Sequence, residues 1–151
     1  DYLNMVNDQN HQISVKLSAK MDKTAQAVER LQEENFRLKG QVGQLVDDMC
    51  RKEAERYAGS GSVLIFMDGM DADSVRKLAD AVTQTCQGCC AVFSGNADGS
   101  YKYAMGEKDG DLRQFTKEMN AKLNGRGGGK PFFVQGSVQA SEKEIRNFFE
   151  Q

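Results

Sequence analysis

The residues best suited to chemistry lie at 125–131, which read Gly-Arg-Gly-Gly-Gly-Lys-Pro. Three consecutive glycines carry no Cβ, so another backbone or a phosphate can approach closely and successive N–H groups can point at it. Arg126 and Lys130 flank these glycines with two cations. The pattern favours an anion-binding loop, although the same glycines also suit a structural turn. Pro131 stands where a P-loop has Ser or Thr, which excludes that motif.

More cations precede this loop. The chain between residues 112 and 131 contains one carboxylate, Glu118, and five cations: Arg113, Lys117, Lys122, Arg126 and Lys130. Clustering of one sign beside a glycine loop predicts a local surface for nucleic-acid phosphates, the alternative being a solvated helix face. The net charge of −2 argues against a protein that coats nucleic acid indiscriminately.

The sequence offers little for catalysis. It contains no Gly-x-Ser-x-Gly, His-Glu-x-x-His or Walker motif. Asp68, Asp71 and Asp73 follow the first predicted strand and could bind Mg²⁺, but Asp at the start of a helix more often caps it. We therefore expect no catalytic residue in this chain and interpret it as a binding module.

The four cysteines are Cys50, Cys86, Cys89 and Cys90. Residues 86–89 have the C-x-x-C spacing of redox or zinc sites. The one histidine, His11, lies in a different segment, and tetrahedral zinc needs four ligands. We expect reduced thiols that are buried or half-buried, and no metal.

Residues 1–58 predict helices. A break at Ser18, read as an N-cap, separates a helix over about 2–16 from one over about 20–57. The second helix carries a heptad repeat, and Asn35 at an interior a position favours two-stranded pairing. The alternative is a helical hairpin in which Leu3, Val6 and Ile13 cover the repeat. The candidate dimerisation residues are Met21, Val28, Leu31, Asn35, Leu38, Val42, Leu45 and Met49.

Residues 59–151 predict a compact α/β domain after a Gly59-Ser60-Gly61 hinge. Its expected order is β-α-β-β-α-β-α, in two or three layers. The strands are read at 63–67, 91–93, 101–105 and 132–138, with a turn at 96–99 inside a hairpin. Helices are read from Asp71, from Asp109 or Asp111, and from the capping box at Ser141. The fold class is therefore α/β, preceded by a long helix.

Several stretches together resemble the C-terminal part of alanyl-tRNA synthetases and of their freestanding relatives, the long-form AlaX alanyl-tRNA editing proteins. They are the Asp1-Tyr2-Leu3 start, Leu-Ser-Ala-Lys at 17–20, AVERLQEENFRLKG at 27–40, GGGKPFFVQGS at 127–137 and the closing helix at 141–149. The resemblance covers nearly the whole chain. It identifies the glycine-loop segment as the domain associated with DHH phosphoesterases.

The resemblance implies a role in translation fidelity and a cytoplasmic location. The helices would form a homodimer, and the globular domain would contact alanine-specific tRNA. The matching loop is Gly127, Gly128, Gly129 and Lys130 with Gln135 and Gly136. The editing domain of the family hydrolyses mischarged tRNA with zinc held by His-x-x-x-His and Cys-x-x-x-His motifs. Neither motif occurs in these residues, so we expect no cofactor and no deacylation by this chain alone, and no membrane partner.

Lys130 stands where synthetases commonly have Arg, which favours a freestanding editing protein as the parent. Two other functions stay open. The chain could be a purely structural dimerisation module, or the substrate-binding domain of a phosphoesterase that uses the Asp68 cluster. The second is disfavoured, because the sequence lacks both a His after the glycines and an Asp-His-His motif.

Overall fold

The computed structural model describes residues 1–95 and 99–151. The chain divides into two compact units, residues 1–45 and 46–151, and each is described by itself. None of the described helices is long and apolar enough to cross a membrane.

The first unit is helical. Helix α1 (Tyr2–Lys16) is followed by a 3₁₀ turn (Met21–Lys23) and by α2 (Thr24–Arg56), which continues into the second unit. Helix α1 buries no residue, and the heptad positions of α2 within this unit are exposed, apart from the partly buried Thr24. The hairpin alternative, in which α1 covers the repeat, is therefore wrong for this chain.

Ser18 does not cap the second helix. Its φ of 48° places it in the left-handed region, and it follows Leu17, the C-cap of α1. The N–H groups of Ser18 and Ala19 donate to the carbonyls of Val15 and Ser14, at 3.1 and 3.0 Å. This is a Schellman motif, which ends α1 by satisfying its last carbonyls.

The second unit contains a five-stranded sheet. In chain order it comprises β1 (Val63–Asp68), α3 (Ala72–Thr83), β2 (Cys90–Gly95), β3 (Ser100–Gly106), α4 (Arg113–Lys122), β4 (Arg126–Lys130), β5 (Phe133–Gln139) and α5 (Glu142–Phe149). The strands lie side by side in the order β1-β2-β3-β5-β4. Only β1 and β2 are parallel, joined through α3, and the other pairs are antiparallel.

Alternate residues of the strands enter two hydrophobic layers, so the domain has three layers. Ile65, Val92 and Ala104 pack on one face with α3 and with Cys50 near the end of α2. Phe93 and Tyr103 pack on the other face among residues of α4 and α5. The predicted α/β class is confirmed, and so is the hairpin of β2 and β3. The turn predicted at 96–99 includes residues 96–98, which lie outside the described residues.

The predicted order of elements is wrong at one place, because the glycine segment is a strand and not a loop. Strand β4 pairs antiparallel with β5, Gly127 opposite Gly136 and Gly129 opposite Val134. Glycine is depleted in strands, so sequence reading gives a loop for such a segment. The order is therefore β-α-β-β-α-β-β-α, and β4 is an edge strand of the sheet.

Local sequence signals set the end of α4 and the start of α5. Asn124 adopts a φ of 51° directly after α4, and the N–H of Gly125 donates to the carbonyl of Asn120 at 2.8 Å. The helix stop predicted at Asn124-Gly125 is thus confirmed. The capping box is confirmed as well, since the side chain of Ser141 accepts from the backbone N–H of Glu144, whose carboxylate accepts from that of Ser141.

Candidate nucleic-acid interface

The glycines of β4 and β5 are needed first for the chain's own packing. A Cβ built on Gly127 would lie 2.3 Å from the carbonyl oxygen of Gln135, and one on Gly136 would lie 2.1 Å from that of Arg126. A Cβ on Gly129 would lie 2.4 Å from the carbonyl oxygen of Phe133. Of the three consecutive glycines, only Gly128 has open space where a Cβ would stand. The sequence predicted that another backbone or a phosphate would approach these glycines closely. In the structure the group that approaches them is mostly the backbone of the neighbouring strand.

The side chain of Tyr103 explains why two facing glycines are required. Tyr103 lies opposite Gly136, which in turn lies opposite Gly127, so the three residues form one row across β3, β5 and β4. The phenol extends along this row, because its oxygen would lie 2.8 and 2.5 Å from Cβ atoms on Gly136 and Gly127. It donates a hydrogen bond to Oδ1 of Asn120 on α4 at 3.1 Å. Burial raises the pKa of Tyr103, so this hydroxyl stays protonated.

A groove of about 310 Å³ lies between α4 and β4. Among the predicted nucleic-acid contacts, the structure brings Arg113 and Lys117 of α4 to this groove together with Gly127, Gly128 and Gly129. The amide nitrogen of Asn120 donates to the carbonyl of Gly127 at 3.4 Å and joins the two sides. The groove is thus a cationic helix face beside an exposed glycine backbone.

The remaining predicted residues lie elsewhere. Side chains of directly paired residues point to the same face of a sheet, and Gln135 pairs with Ala104, on the face that α3 covers. Arg126 pairs with Ser137, and Lys130 pairs with Phe133. The side chains of Arg126 and Lys130 therefore lie on that same face. The cations predicted to form one local surface are therefore divided between the two faces of the sheet edge.

Lys122 points away from both faces. Its ammonium group donates to the side chain of Gln151 at 3.1 Å and lies 5.5 Å from the ring of Phe148. Lys122 therefore contacts the C-terminal end of the chain and not the groove.

The face opposite α4 is uncovered at β5 and β4. Gln135, Ser137 and Arg126 are exposed there, while α3 packs on β2 and β3. Lys102 of β3 pairs with Ser137 and so shares a row with Arg126. Lys102 was missed by sequence reading, although the alternation of Tyr101-Lys102-Tyr103 places it on the face opposite Tyr103. We call the exposed surface formed by Lys102, Arg126, Gly128, Lys130, Gln135 and Ser137 the open face.

The cations differ in how far carboxylates engage them. The guanidinium of Arg113 binds the carboxylate of Asp111 through two hydrogen bonds, at 2.9 and 2.6 Å, and these bonds lower the pKa of Asp111 to about 2. Within the described part of the chain, Lys117, Arg126 and Lys130 form no ion pair. Lys117, Arg126 and Lys130 therefore keep their charge available to an anion, and Arg113 does so only in part.

Two other residues were also missed by sequence reading. Phe132, assigned to a buried strand, lies in the turn between β4 and β5 and is 49% exposed, with the ammonium of Lys130 at 5.8 Å from its ring centre. Thr116 lines the groove from α4, and its hydroxyl is buried without a hydrogen-bond partner in the described structure. Neither feature has a sequence signal, because both depend on how the elements pack.

Two of the three aspartates considered for Mg²⁺, Asp71 and Asp73, have structural roles. Asp71 caps α3 by accepting from the N–H of Ser74 at 2.8 Å, and Asp73 pairs with Arg76 at 2.9 Å. Hydrogen bonds from Ser74, and more weakly the charges of Lys102 and Lys77, lower the pKa of Asp71. Residues 1–95 and 99–151 contain no group of three or more His, Cys, Asp or Glu side chains that could hold a metal ion.

The cysteines are free thiols in the structure. Cys50, Cys86 and Cys90 are buried and Cys89 is half-buried, as predicted. Burial raises the pKa of Cys50 and of Cys90, and it raises the pKa of Cys89 to about 12. The thiols of Cys50, Cys89 and Cys90 are therefore protonated near neutral pH and unsuited to nucleophilic chemistry.

Comparison with known proteins agrees with this architecture. The model of the DHHA1 domain family matches residues 60–151. The chain belongs to this family. Its DHHA1 domain is the part that contains the sheet, the groove and the open face.

Curated relatives of this chain include alanine–tRNA ligases. The ligase of Psychrobacter sp. is 23% identical over 154 residues, which cover 94% of this chain and 17% of the ligase. That of Shewanella loihica is 27% identical over 87% of this chain and 15% of its own length. That of Acholeplasma laidlawii is 30% identical over 52% of this chain and 9% of the ligase. The chain thus spans less than a fifth of the length of these relatives.

A solved structure shares the fold. The C-Ala domain of Aquifex aeolicus alanyl-tRNA synthetase superposes with a TM-score of 0.52 at 19% sequence identity, covering 62% of this chain and 92% of that domain. The predicted resemblance to the C-terminal part of alanyl-tRNA synthetases is therefore confirmed.

The glycines of the sheet edge give a first testable prediction. We expect Gly136→Ala to lower the free energy of unfolding by about 2 kcal/mol or more, because its Cβ would collide with backbone. Gly128→Ala, the matched control with open space at its Cβ, should change it by about 0.5 kcal/mol or less. Urea unfolding measures both. Equal losses in the two variants would contradict the packing described for Tyr103.

The buried hydroxyl of Thr116 gives a second prediction. Thr116→Val removes a hydroxyl without a partner and should raise the free energy of unfolding by about 1 kcal/mol. The control is Thr83→Val on α3, where the hydroxyl is equally buried but donates to the carbonyl of Ala79 at 2.6 Å. The free energy of unfolding of Thr83→Val should fall by about 1 kcal/mol. A loss at Thr116 as well would mean that its hydroxyl has a partner in solution.

Proposed function

We propose that this chain is a tRNA-binding and dimerisation module of a protein of alanyl-tRNA metabolism. The observation that carries the proposal is that Lys117, Arg126 and Lys130, which lie around the exposed edge strand β4, form no ion pair with any described residue. Family membership and the shared C-Ala fold support an alanyl-tRNA-related module. Binding of alanine-specific tRNA and pairing of two chains are the steps that the experiments below test.

The geometry suits a folded RNA. Lys117 lies on the α4 side of β4, while Arg126, Lys130 and Lys102 lie on the open face. Cations on both sides of one edge can neutralise phosphates of a curved backbone without reading base edges. Selectivity would then come from the shape of the tRNA, as it does for much RNA recognition. The half-exposed ring of Phe132 adds a surface on which a base can stack.

The exposed repeat on α2 supports dimerisation. Val28, Leu31, Asn35 and Phe36 line a groove of about 450 Å³ along this helix, and a second helix could fill it. Met49 differs from the other seven candidate residues, because it packs against the core of the second unit. The proposed contact between two chains therefore consists of the positions from Met21 to Leu45.

The parent protein is proposed from its relatives. The alanine–tRNA ligases named above support a ligase parent. Lys130, which stands where synthetases commonly have Arg, supports a freestanding editing protein. In either parent we place the catalytic residues outside this chain. In a freestanding editing protein they would lie in a zinc-dependent editing domain. The module would hold the tRNA and pair two chains. A dimer without affinity for RNA would instead support the structural alternative.

The cations give a third prediction. Replacing Lys117, Arg126 and Lys130 by Ala should weaken binding of an alanine tRNA transcript about tenfold or more and lower the slope of log K against log salt by about 2 to 3. Lys102→Ala alone should lower the slope by about 1 if the backbone of the RNA crosses the open face. Filter binding over a series of salt concentrations measures these slopes.

The control for this experiment carries the same change in net charge. Lys52, Lys108 and Lys143 are exposed lysines outside the groove and the open face, and their triple replacement by Ala should leave the slope nearly unchanged. Equal losses in both triple variants would show an effect of net charge only. Such a result, or no binding by the wild-type chain at low salt, would reject the RNA surface.

The helix gives a fourth prediction. Leu31→Asp with Leu38→Asp places two charges in the proposed seam and should convert the dimer to a monomer, because a charge buried without a partner is strongly unfavourable. Gln26→Asp with Gln44→Asp places the same charges on exposed positions outside the heptad seam and should leave the dimer intact. Light scattering gives the mass of each species. A wild-type chain that stays monomeric at high micromolar concentration would contradict the proposal.

A further inference from the structure

Another cavity lies on the α4 and α5 side of the sheet, at the end where β1 begins and β3 ends. Its volume is about 480 Å³, within the range of small-molecule sites. The side chains of Leu64, Leu112, Phe115 and Phe149 form its apolar part. They come from β1, from the start of α4 and from the end of α5, so the cavity lies where three elements meet and not along a single helix. It shares no lining residue with the groove between α4 and β4.

The polar part of this cavity is acidic. Its charged lining residues are the carboxylates Glu107, Asp111 and Glu150, and no cation lines it. Asp111 is paired with Arg113, whereas the carboxylates of Glu107 and Glu150 have no hydrogen bond or ion pair in the described part of the chain. An apolar cavity with two unpaired carboxylates in its lining has a negative potential, strengthened by the low-dielectric wall.

Cys89 also lines the cavity, and its thiol carries no charge. Burial raises its pKa to about 12, and the nearby charge of Glu107 adds to this effect. The thiol therefore acts as a small apolar group in the wall and adds neither a nucleophile nor a negative charge. The carboxylates of the cavity therefore determine which charge a bound ligand must carry.

We propose that this cavity binds an organic cation with an apolar body, of the alkylammonium class. The hydrocarbon part would contact Leu64, Leu112 and the two phenyl rings, and the ammonium group would lie between Glu107 and Glu150. A ring face in the wall also attracts a cation. An anion would meet two uncompensated carboxylates, and a neutral alkane would leave them unpaired. The ligand class follows from this combination and does not depend on the proposed binding of RNA.

The test uses the whole chain and three probes of equal length: n-hexylammonium, n-hexanol and hexanoate. Amide resonances in ¹H–¹⁵N NMR spectra report the site of binding. We expect saturable shifts that centre on Leu64, Cys89, Leu112 and Phe149 with n-hexylammonium, about tenfold weaker binding of n-hexanol, and none of hexanoate. Equal binding of n-hexanol would show an apolar cavity without preference for cations and would overturn the proposal.

Variants separate the carboxylates from the rest of the chain. Glu107→Gln with Glu150→Gln should weaken binding of n-hexylammonium about tenfold and leave that of n-hexanol unchanged. Glu55→Gln, at an exposed glutamate of α2 outside the cavity, is the control and should have no effect. No saturable shift with n-hexylammonium, shifts scattered over the surface, or unchanged affinity in the double variant would each reject the site. Binding of tRNA, which is proposed at β4, is expected to be unaffected by the double variant.

Discussion

The side chain of Tyr103 is the constraint on which the rest of the domain depends. Its side chain lies over Gly136 of β5 and Gly127 of β4, which carry no Cβ. Its hydroxyl donates a hydrogen bond to Asn120 of α4. Together with the hydrogen bond from the amide of Asn120 to the carbonyl of Gly127, this contact holds α4 against the sheet edge beside the groove. It also requires glycine at 127 and 136, which leaves the backbone of β4 exposed beside a cationic helix. A packing requirement and the proposed binding surface therefore arise from the same residues.

Much of the fold could be predicted because its signals are local. The apolar run from Val63 gives β1, and Ser141 with Glu144 gives the start of α5, since a buried strand and a capping box are recognised within a few residues. Strand β4 could not be predicted in this way. Its stability comes from pairing with Gly136 and from the ring of Tyr103, and neither contact can be read from the residues of β4 alone.

The candidate site shows the same limit. The sequence identified Lys117 and the three glycines, which the structure brings together. It could not show that Arg126 and Lys130 belong to the opposite face, because side-chain direction depends on the register of β4 against β5. Lys102 and Thr116 join the surface only through packing of β3 and α4. Charge clustering thus locates a surface along the chain, and strand register decides which side of it each cation occupies.

The position of β4 at the end of the sheet has a consequence for solubility. A free strand edge offers unpaired N–H and C=O groups to any other extended chain, and three glycines in a row give no side chain to obstruct such an approach. Arg126 and Lys130 stand at the two ends of this short strand, and charged residues on an edge discourage the addition of a further strand. Arg126 and Lys130 therefore protect the domain from edge-to-edge aggregation whenever no ligand covers β4.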